Sequence, residues 1–325
     1  MTTFKEIRGT AVQSVSSDPS NPEEGQIWYN NSIGVLKGYA LVAAAWAAGG
    51  NMGTARYGMG GAGTQTIGLA FGGYIAGSAS YSAATEEYNG SSWTAGGNLG
   101  NARFALSGAG TQTAGLGFGG SSSGTYRTFT EEYDGSAWTA GGNLATARAV
   151  MGGAGTQTAG LAFGGFATTV LSNATEEYDG SAWTGGGNLG TARQGIAGCG
   201  LQTAGLGFGG ETTVNTGTTE EYDGSAWTAG GTMNTARRQL GGAGIQTAGL
   251  AFGGLTTVVS AATEQYDGSA WSNTTSMTTA RRNVGGAGTL QAGLAFGGFT
   301  TTDSATTEEY SPAFLATKTI TTSTT

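Results

Sequence analysis

The feature that most constrains this chain is a unit of about 45 residues written six times. Six tryptophans, Trp46, Trp93, Trp138, Trp183, Trp227 and Trp271, recur at that spacing. Gly-Gly pairs that follow a phenylalanine keep step with them, at 72–73, 119–120, 164–165, 209–210, 253–254 and 297–298. So do Tyr88, Tyr133, Tyr178, Tyr222, Tyr266 and Tyr310, each closing a Glu-Glu-Tyr or Glu-Gln-Tyr triplet. A period of this length means a repeat array, in which each unit buries its apolar face against its neighbours.

Each unit reads as four short strands. After Arg148, for example, "AVMGGAG" is a small-residue strand, "TQT" turns it, and "AGLAFGG" is a second strand. Leu161 and Phe163 share a face by the two-residue period. A loop follows, then "TEEY" as a third strand, with Glu176 on the face of Tyr178. "DG" marks a hairpin, read as a type I′ turn with positive φ at both central residues. "SAWT" is the fourth strand, and "GGNLGTAR" leads onward. No segment sustains a helical apolar period. The fold class is therefore all-β: a six-bladed β-propeller, four strands per blade, with a short N-terminal extension. Residues 1–40 are an anchoring segment, 41–311 the propeller and 312–325 a tail. Strands crowding an axis explain why 64 of the 325 residues are glycine.

The first unit lacks a Glu-Glu-Tyr strand before Trp46, and the last lacks a Trp strand after Tyr310. The two defects are complementary, so the strand at Trp46 completes the last blade and removes two open edges. The alternative is that "AFLATKTI" supplies that strand, with Leu315 in place of the tryptophan.

Composition excludes several functions. The net charge of −8 opposes nucleic-acid binding, which needs a basic face. No apolar run approaches the ~18 residues of a membrane span, and "MTTFKEIRGT" has no signal-peptide apolar region. There is no histidine and one cysteine. Metal sites, cofactors and His-dependent triads are therefore not expected, and Cys199 reads as a small buried residue.

The charges that recur are Arg56, Arg103, Arg148, Arg193, Arg237 and Arg281, together with the acidic third strands. A catalytic site breaks symmetry and these preserve it, so pairing of Arg with Glu is the structural reading and a ligand ring the alternative. A turn glutamine is read at Gln65, Gln112, Gln157, Gln202, Gln246 and Gln291, either ringing the channel or satisfying turn backbone. Asymmetric charges are few: Arg127, Arg238, Arg282, Glu211 and Asp303. Glu211 and Asp303 are the best carboxylates for a glycosidase, on non-adjacent blades. The loops after Gly-Gly differ from unit to unit and gather on one side. Tyr74, Tyr81, Tyr126, Arg127, Phe129, Phe166, Glu211, Asn215, Phe299 and Asp303 make that side a candidate partner surface, with the aromatics read as exposed.

Gly-Gly after an apolar strand, then Glu-x-Tyr-Asp, Trp and Arg, resembles the kelch repeat, over residues about 41–311. This repeat is shorter and richer in glycine than kelch units generally are. The run "DPSNPEEGQIWYNNSIGVLKG" ahead of such blades resembles the N-terminal part of tailed-phage virion proteins, those of marine phages in particular. That resemblance implies a non-enzymatic fibre or surface appendage in the virion, assembled in the host cytoplasm. It implies contacts with other virion proteins through the N-terminal segment, a host glycan or protein on the loop face, and a homo-oligomer in the particle. A glycan-cleaving propeller enzyme and an intracellular kelch interaction module are the alternatives.

Overall fold

The structure, a computed structural model, describes residues 12–321. It is all-β and propeller-like. Among the described residues there is no α-helix, only one short 3-10 turn at Ala76–Ser78, and hence no helix long and apolar enough to cross a membrane. The chain forms two compact units, residues 45–311 and residues 1–44 with 312–325.

In the larger unit the repeats become six four-stranded antiparallel sheets. Sheet I is Gly60–Gly63, Gly68–Phe71, Thr85–Tyr88 and Trp93–Ala95; sheet II is Ser107–Gly110, Gly115–Phe118, Thr130–Tyr133 and Trp138–Ala140. Sheet III is Gly152–Gly155, Gly160–Phe163, Thr175–Tyr178 and Trp183–Gly185; sheet IV is Ala197–Leu201, Ala204–Phe208, Thr219–Tyr222 and Trp227–Ala229. Sheet V is Gly241–Ile245, Ala248–Phe252, Thr263–Tyr266 and Trp271–Thr274. Sheet VI takes three strands from the end of the unit, Gly285–Gly288, Gly293–Phe296 and Thr307–Ser311, and its fourth, Ala45–Ala48, from the beginning. Trp46 pairs with Tyr310 there. "AFLATKTI" lies elsewhere: Phe314–Thr319 pairs with Val35–Val42.

The apolar pattern dictates how the sheets stack. Each second strand is buried on both faces. Its Leu and Phe point at the following sheet, where they meet glycine and a tryptophan. Phe71 lies 4.7 Å from Trp138, ring centre to ring centre, and Phe163 the same distance from Trp227. Large residues thus fill the space left by small ones, as dense packing requires. Each buried Phe contributes on the order of 1.5–3 kcal/mol. Each of the six repeat tryptophans also donates its indole N–H to the threonine that opens the preceding sheet's third strand. Trp138 reaches Thr85 at 2.9 Å, Trp93 reaches Thr307 at 2.8 Å and Trp46 reaches Thr263 at 3.1 Å.

The third strand divides its two carboxylates. The first is buried against the repeat arginine in all six sheets: Arg56 with Glu86, Arg103 with Glu131, Arg148 with Glu176, Arg193 with Glu220, Arg237 with Glu264 and Arg281 with Glu308. Each arginine side chain is wholly buried, and burial lowers its pKa while the carboxylate opposes that shift. The other oxygen of Glu176 accepts the Ala145 N–H at 2.6 Å, so the ion pair also fixes the crossover between sheets. The second carboxylate faces the following sheet. Glu87 accepts the Tyr133 hydroxyl at 2.5 Å, and Glu309 accepts that of Tyr88 at 2.6 Å.

Two sequence expectations need correction. In the Asp-Gly turns only the glycine has positive φ, 93° at Gly135. The turn is closed by the Asp134 carboxylate, which takes the Ser136 and Ala137 N–H groups at 2.8 Å, rather than by a second left-handed residue. These bonds hold that carboxyl below its usual pKa range. The turn glutamines bond neither to an axis nor to their own turn. Gln157 Nε2 crosses to the carbonyls of Gly115 and Tyr133 in the preceding sheet, at 3.1 and 2.7 Å. Gln65, Gln112, Gln202 and Gln246 do the same. Gln291 is out of register. In its turn Thr289 pairs with Ala292 as Thr64 does with Ile67, which puts Leu290 at the glutamine position.

The smaller unit holds one sheet, Gln13–Val15, Ile27–Asn30, Val35–Val42 and Phe314–Thr319. The hairpin expected around "NSI" is present. Trp28 is fully buried there. Asp18 takes its indole N–H at 3.0 Å, the Asn30 amide at 2.8 Å and the Lys37 ammonium at 2.6 Å. Lys37, then the two neutral donors, hold the Asp18 carboxyl down to about 2. Residues 1–11 of the anchoring segment and 322–325 of the tail lie outside the described residues.

Candidate functional site at the centre of the loop face

Two rings of residues follow the six buried arginines. The outer ring is Tyr57, Phe104, Ala149, Gln194, Arg238 and Arg282. Each forms an antiparallel bridge with the first loop residue after Gly-Gly, namely Tyr74, Ser121, Phe166, Glu211, Leu255 and Phe299. The inner ring is Gly58, Ala105, Val150, Gly195, Gln239 and Asn283. These six are joined by backbone hydrogen bonds that close on themselves. Ala105 N–H donates to Gly58, Val150 to Ala105, Gly195 to Val150, Gln239 to Gly195, Asn283 to Gln239 and Gly58 to Asn283, at 2.7–3.0 Å. All six have positive φ, Val150 at 57° included. Such a conformation is costly for a β-branched residue and persists only where its surroundings impose it. Within the ring lies a cavity of about 160 Å³ whose walls are the glycine-rich first strands.

The rings are chemically one-sided. On the side of sheets I, II and VI, Tyr57 meets Tyr74 at 5.7 Å and Phe299 at 5.2 Å, both edge to face, and Phe104 stands 5.7 Å from Tyr74. Tyr81 joins at 5.3 Å from Tyr74. The Arg282 guanidinium lies over the Phe299 ring at 5.0 Å, with Nη1 3.3 Å from Gln239 Oε1. On the side of sheets IV and V, Arg238 is paired with Glu211, and Gln194 and Gln239 line the same hollow. Desolvation, followed by the Asp303 charge, raises the pKa of Tyr57.

The remaining loop residues act locally. Tyr126 stacks on Phe166 at 5.9 Å, and Arg127 lies over Phe129 at 5.6 Å. Asn215 Nδ2 donates to the Leu255 and Thr256 carbonyls, both at 3.0 Å, and Asp303 accepts the Ala76 N–H at 2.6 Å. These two hold equivalent positions and tie each loop to the next. The expectation of exposed aromatics is corrected: Tyr74, Tyr81, Tyr126, Phe129, Phe166 and Phe299 are all half-buried, because they pack on one another. The exposed tips are instead Val170, Val214 and Val258, each after a Thr-Thr pair, so loops III to V are more alike than their lengths suggest. Cys199 is buried, and burial raises its thiol to about 12. Among the described residues no three His, Cys, Asp or Glu side chains come together as a metal site.

Tyr57, Phe104, Gln194, Gln239 and Asn283 escaped the sequence reading, which looked for variation only after Gly-Gly. A signal was there: the pair of residues after each repeat arginine is different in every unit, while the arginine before it and an apolar residue after it recur. Compared with known proteins, the chain matches no family model and no curated protein.

Proposed function

We propose that the larger unit is a closed six-bladed propeller serving as a non-enzymatic binding module, and that the mouth ringed by Tyr57 to Arg282 is its contact surface. The observation that carries this reading is the separation of constant from variable positions. Residues that join sheet to sheet are repeated, and those around the mouth are not. Support for closure comes from the unbroken cycle of backbone hydrogen bonds and from Trp46, which bonds Thr263 as the other tryptophans bond their own threonines. Support for a non-catalytic role comes from the carboxylates. Glu211 is paired with Arg238, and one oxygen of Asp303 accepts the Ala76 N–H while the other is buried.

On the resemblance of its N-terminal segment, the protein is a virion component of a tailed phage. Residues 1–44 and 312–325 attach to other virion proteins, and several copies per particle make weak single contacts sufficient. The test replaces Tyr57, Phe104, Gln194, Arg238 and Arg282 together by alanine. Host-cell binding should fall at least tenfold while the circular dichroism spectrum stays unchanged. Undiminished binding by that folded variant rejects the mouth as the contact surface.

A further inference from the structure

We infer that the mouth binds an acidic saccharide, a pyranose ring bearing a carboxylate, with Arg282 as the carboxylate receptor. This rests on the reading of the mouth as a binding surface. Two cations stand there and only one is compensated. Arg238 has Glu211, whereas Arg282 has no carboxylate within salt-bridge distance among the described residues. The nearby acid, Asp303, turns one oxygen to the Ala76 N–H, its other oxygen is buried without a protein partner, and it makes no ion pair with Arg282. Arg282 instead rests on Phe299 and on the Gln239 amide oxygen, neither of which neutralises it. That contact with Phe299 pre-orients a planar fork of donors, which suits a carboxylate bidentately.

The surroundings select a sugar over other anions. Tyr57 stands edge to face with Phe299 at 5.2 Å, and Tyr74 and Phe104 join the cluster in the same edge-to-face manner. A run of aromatic rings beside a cation matches a pyranose, whose C–H faces stack while its substituents lie at the edge. The side-chain amides of Gln194, Gln239 and Asn283 supply both donors and acceptors for hydroxyls. A nucleic acid would need many phosphate contacts, and among the described residues a chain of net charge −8 offers one cation without an ion-pair partner at this mouth.

The test titrates the full chain with oligogalacturonate, alginate and hyaluronate oligosaccharides, with methyl-esterified oligogalacturonate, and with an acidic peptide, by calorimetry at low salt. At least one uronate should bind, and esterification and Arg282→Gln should each weaken that binding tenfold or more. Tyr57→Ala should weaken the binding that survives in Arg282→Gln, which separates stacking from charge. Melting curves of both variants verify the fold. Binding of no uronate, equal binding by Arg282→Gln, or binding of the peptide alone overturns the inference. Host-cell attachment measured in parallel tells the two readings apart. Attachment that survives without uronate binding removes only the ligand class, and loss of neither mouth variant's attachment removes the mouth.

Discussion

Five of the six junctions between sheets are built alike, and the junction between sheets V and VI is not. In the five, a tyrosine hydroxyl donates to a glutamate of the preceding sheet and a glutamine amide clips that sheet's backbone. At V/VI the carboxylate is replaced by Gln265, whose amide donates to the Tyr310 hydroxyl, and the clip is replaced by Leu290. A third change explains the first. Gly230 lies so close to the Tyr266 hydroxyl that a Cβ would stand 2.7 Å from its oxygen, and Gly49, Gly96, Gly141 and Gly186 are in the same position against their own tyrosines. The fifth sheet has Thr274 there. Its hydroxyl lies 2.9 Å from that of Tyr310, and the Trp46–Tyr310 rings are inclined at 49°, against 34–36° in the regular pairs.

The cause is the path of the chain. Gly231, the next residue, is held to glycine by the Ser269 carbonyl of the following turn, 2.1 Å from where its Cβ would be. That turn follows the third strand in sheets I to V. After Ser311 the chain enters Pro312 instead, and the fourth strand comes from Ala45–Ala48. Where the turn is absent, the Gly-Gly pair is relaxed to Thr274-Thr275. The comparison teaches that the repeat is constant where a neighbour's atoms forbid change, and drifts where the chain break removes the neighbour.

The largest expected effect lies in what all six sheets share. Arg148→Met leaves the Glu176 carboxylate buried and unpaired and should cost about 3–5 kcal/mol. Arg281→Met, at the irregular end, should cost the same, because the ion pairs do not differ between junctions. A denaturant titration of both checks this. A loss of under about 1 kcal/mol in either would assign the pair the weight of an exposed one.

Alkaline pH separates the junctions next. Burial, and then donation to the neighbouring glutamate, raises Tyr88, Tyr133, Tyr178, Tyr222 and Tyr266 from 10 to about 12. The folded chain then holds protons that the unfolded chain releases. The contribution is complete below pH 10 and is lost as pH rises through about 12. Tyr310 is raised by desolvation alone, opposed by Thr274 and Gln265. Tyr178→Phe should therefore flatten the fall of melting temperature between pH 10 and about 12, and Tyr310→Phe should flatten it less. Equal flattening would mean that the carboxylate does not matter.

Sheet order, strand type and the Arg–Glu partners were legible because each depends on a pattern repeated in step: period two along strands, and one arginine followed by one acidic third strand in every unit. The junction chemistry was not. Glu87 and Glu86 look equivalent in a sequence, and only the direction of the pleat assigns one to arginine and the other to Tyr133. Gln291 was read as the sixth turn glutamine because it stands one place later in a turn of equal length, with Leu290 at the position that Gln65 holds in its own turn. The mouth was hidden for another reason: the positions after Arg56 vary singly, and only the bridge from Tyr57 to Tyr74 joins them to the loops.

Among steric effects, Gly141→Ala should destabilise by about 1–3 kcal/mol, the range of overpacking, because its Cβ would stand 2.5 Å from the Tyr178 hydroxyl. Thr274→Ala should be far milder, since that site already accommodates a side chain. Similar losses on thermal melting would refute the steric account of the five glycines.

The smallest effect is also the most specific, because it repairs the odd junction. Leu290→Gln restores the amide where the register places it, opposite the Gly249 and Tyr266 carbonyls. At the regular junctions Gln157 makes two such bonds, at 3.1 and 2.7 Å, and Leu290 is half-buried at the corresponding turn. A hydrogen bond contributes about 0.5–1.5 kcal/mol net, and ordering a glutamine side chain offsets part of two of them. The substitution should therefore stabilise by about 1 kcal/mol or slightly less. Gln157→Leu should destabilise by more, since it leaves two carbonyls without their donor. The decisive readout is site-resolved hydrogen exchange: protection should rise across strands Thr263–Tyr266 and Thr307–Ser311 and nowhere in sheets I to IV. A uniform rise would mean that opening at V/VI is coupled to unfolding of the whole unit rather than local. No rise, with the fold intact, would mean that Leu290 fills its turn as well as glutamine does, and that the amides set the spacing of sheets rather than their stability.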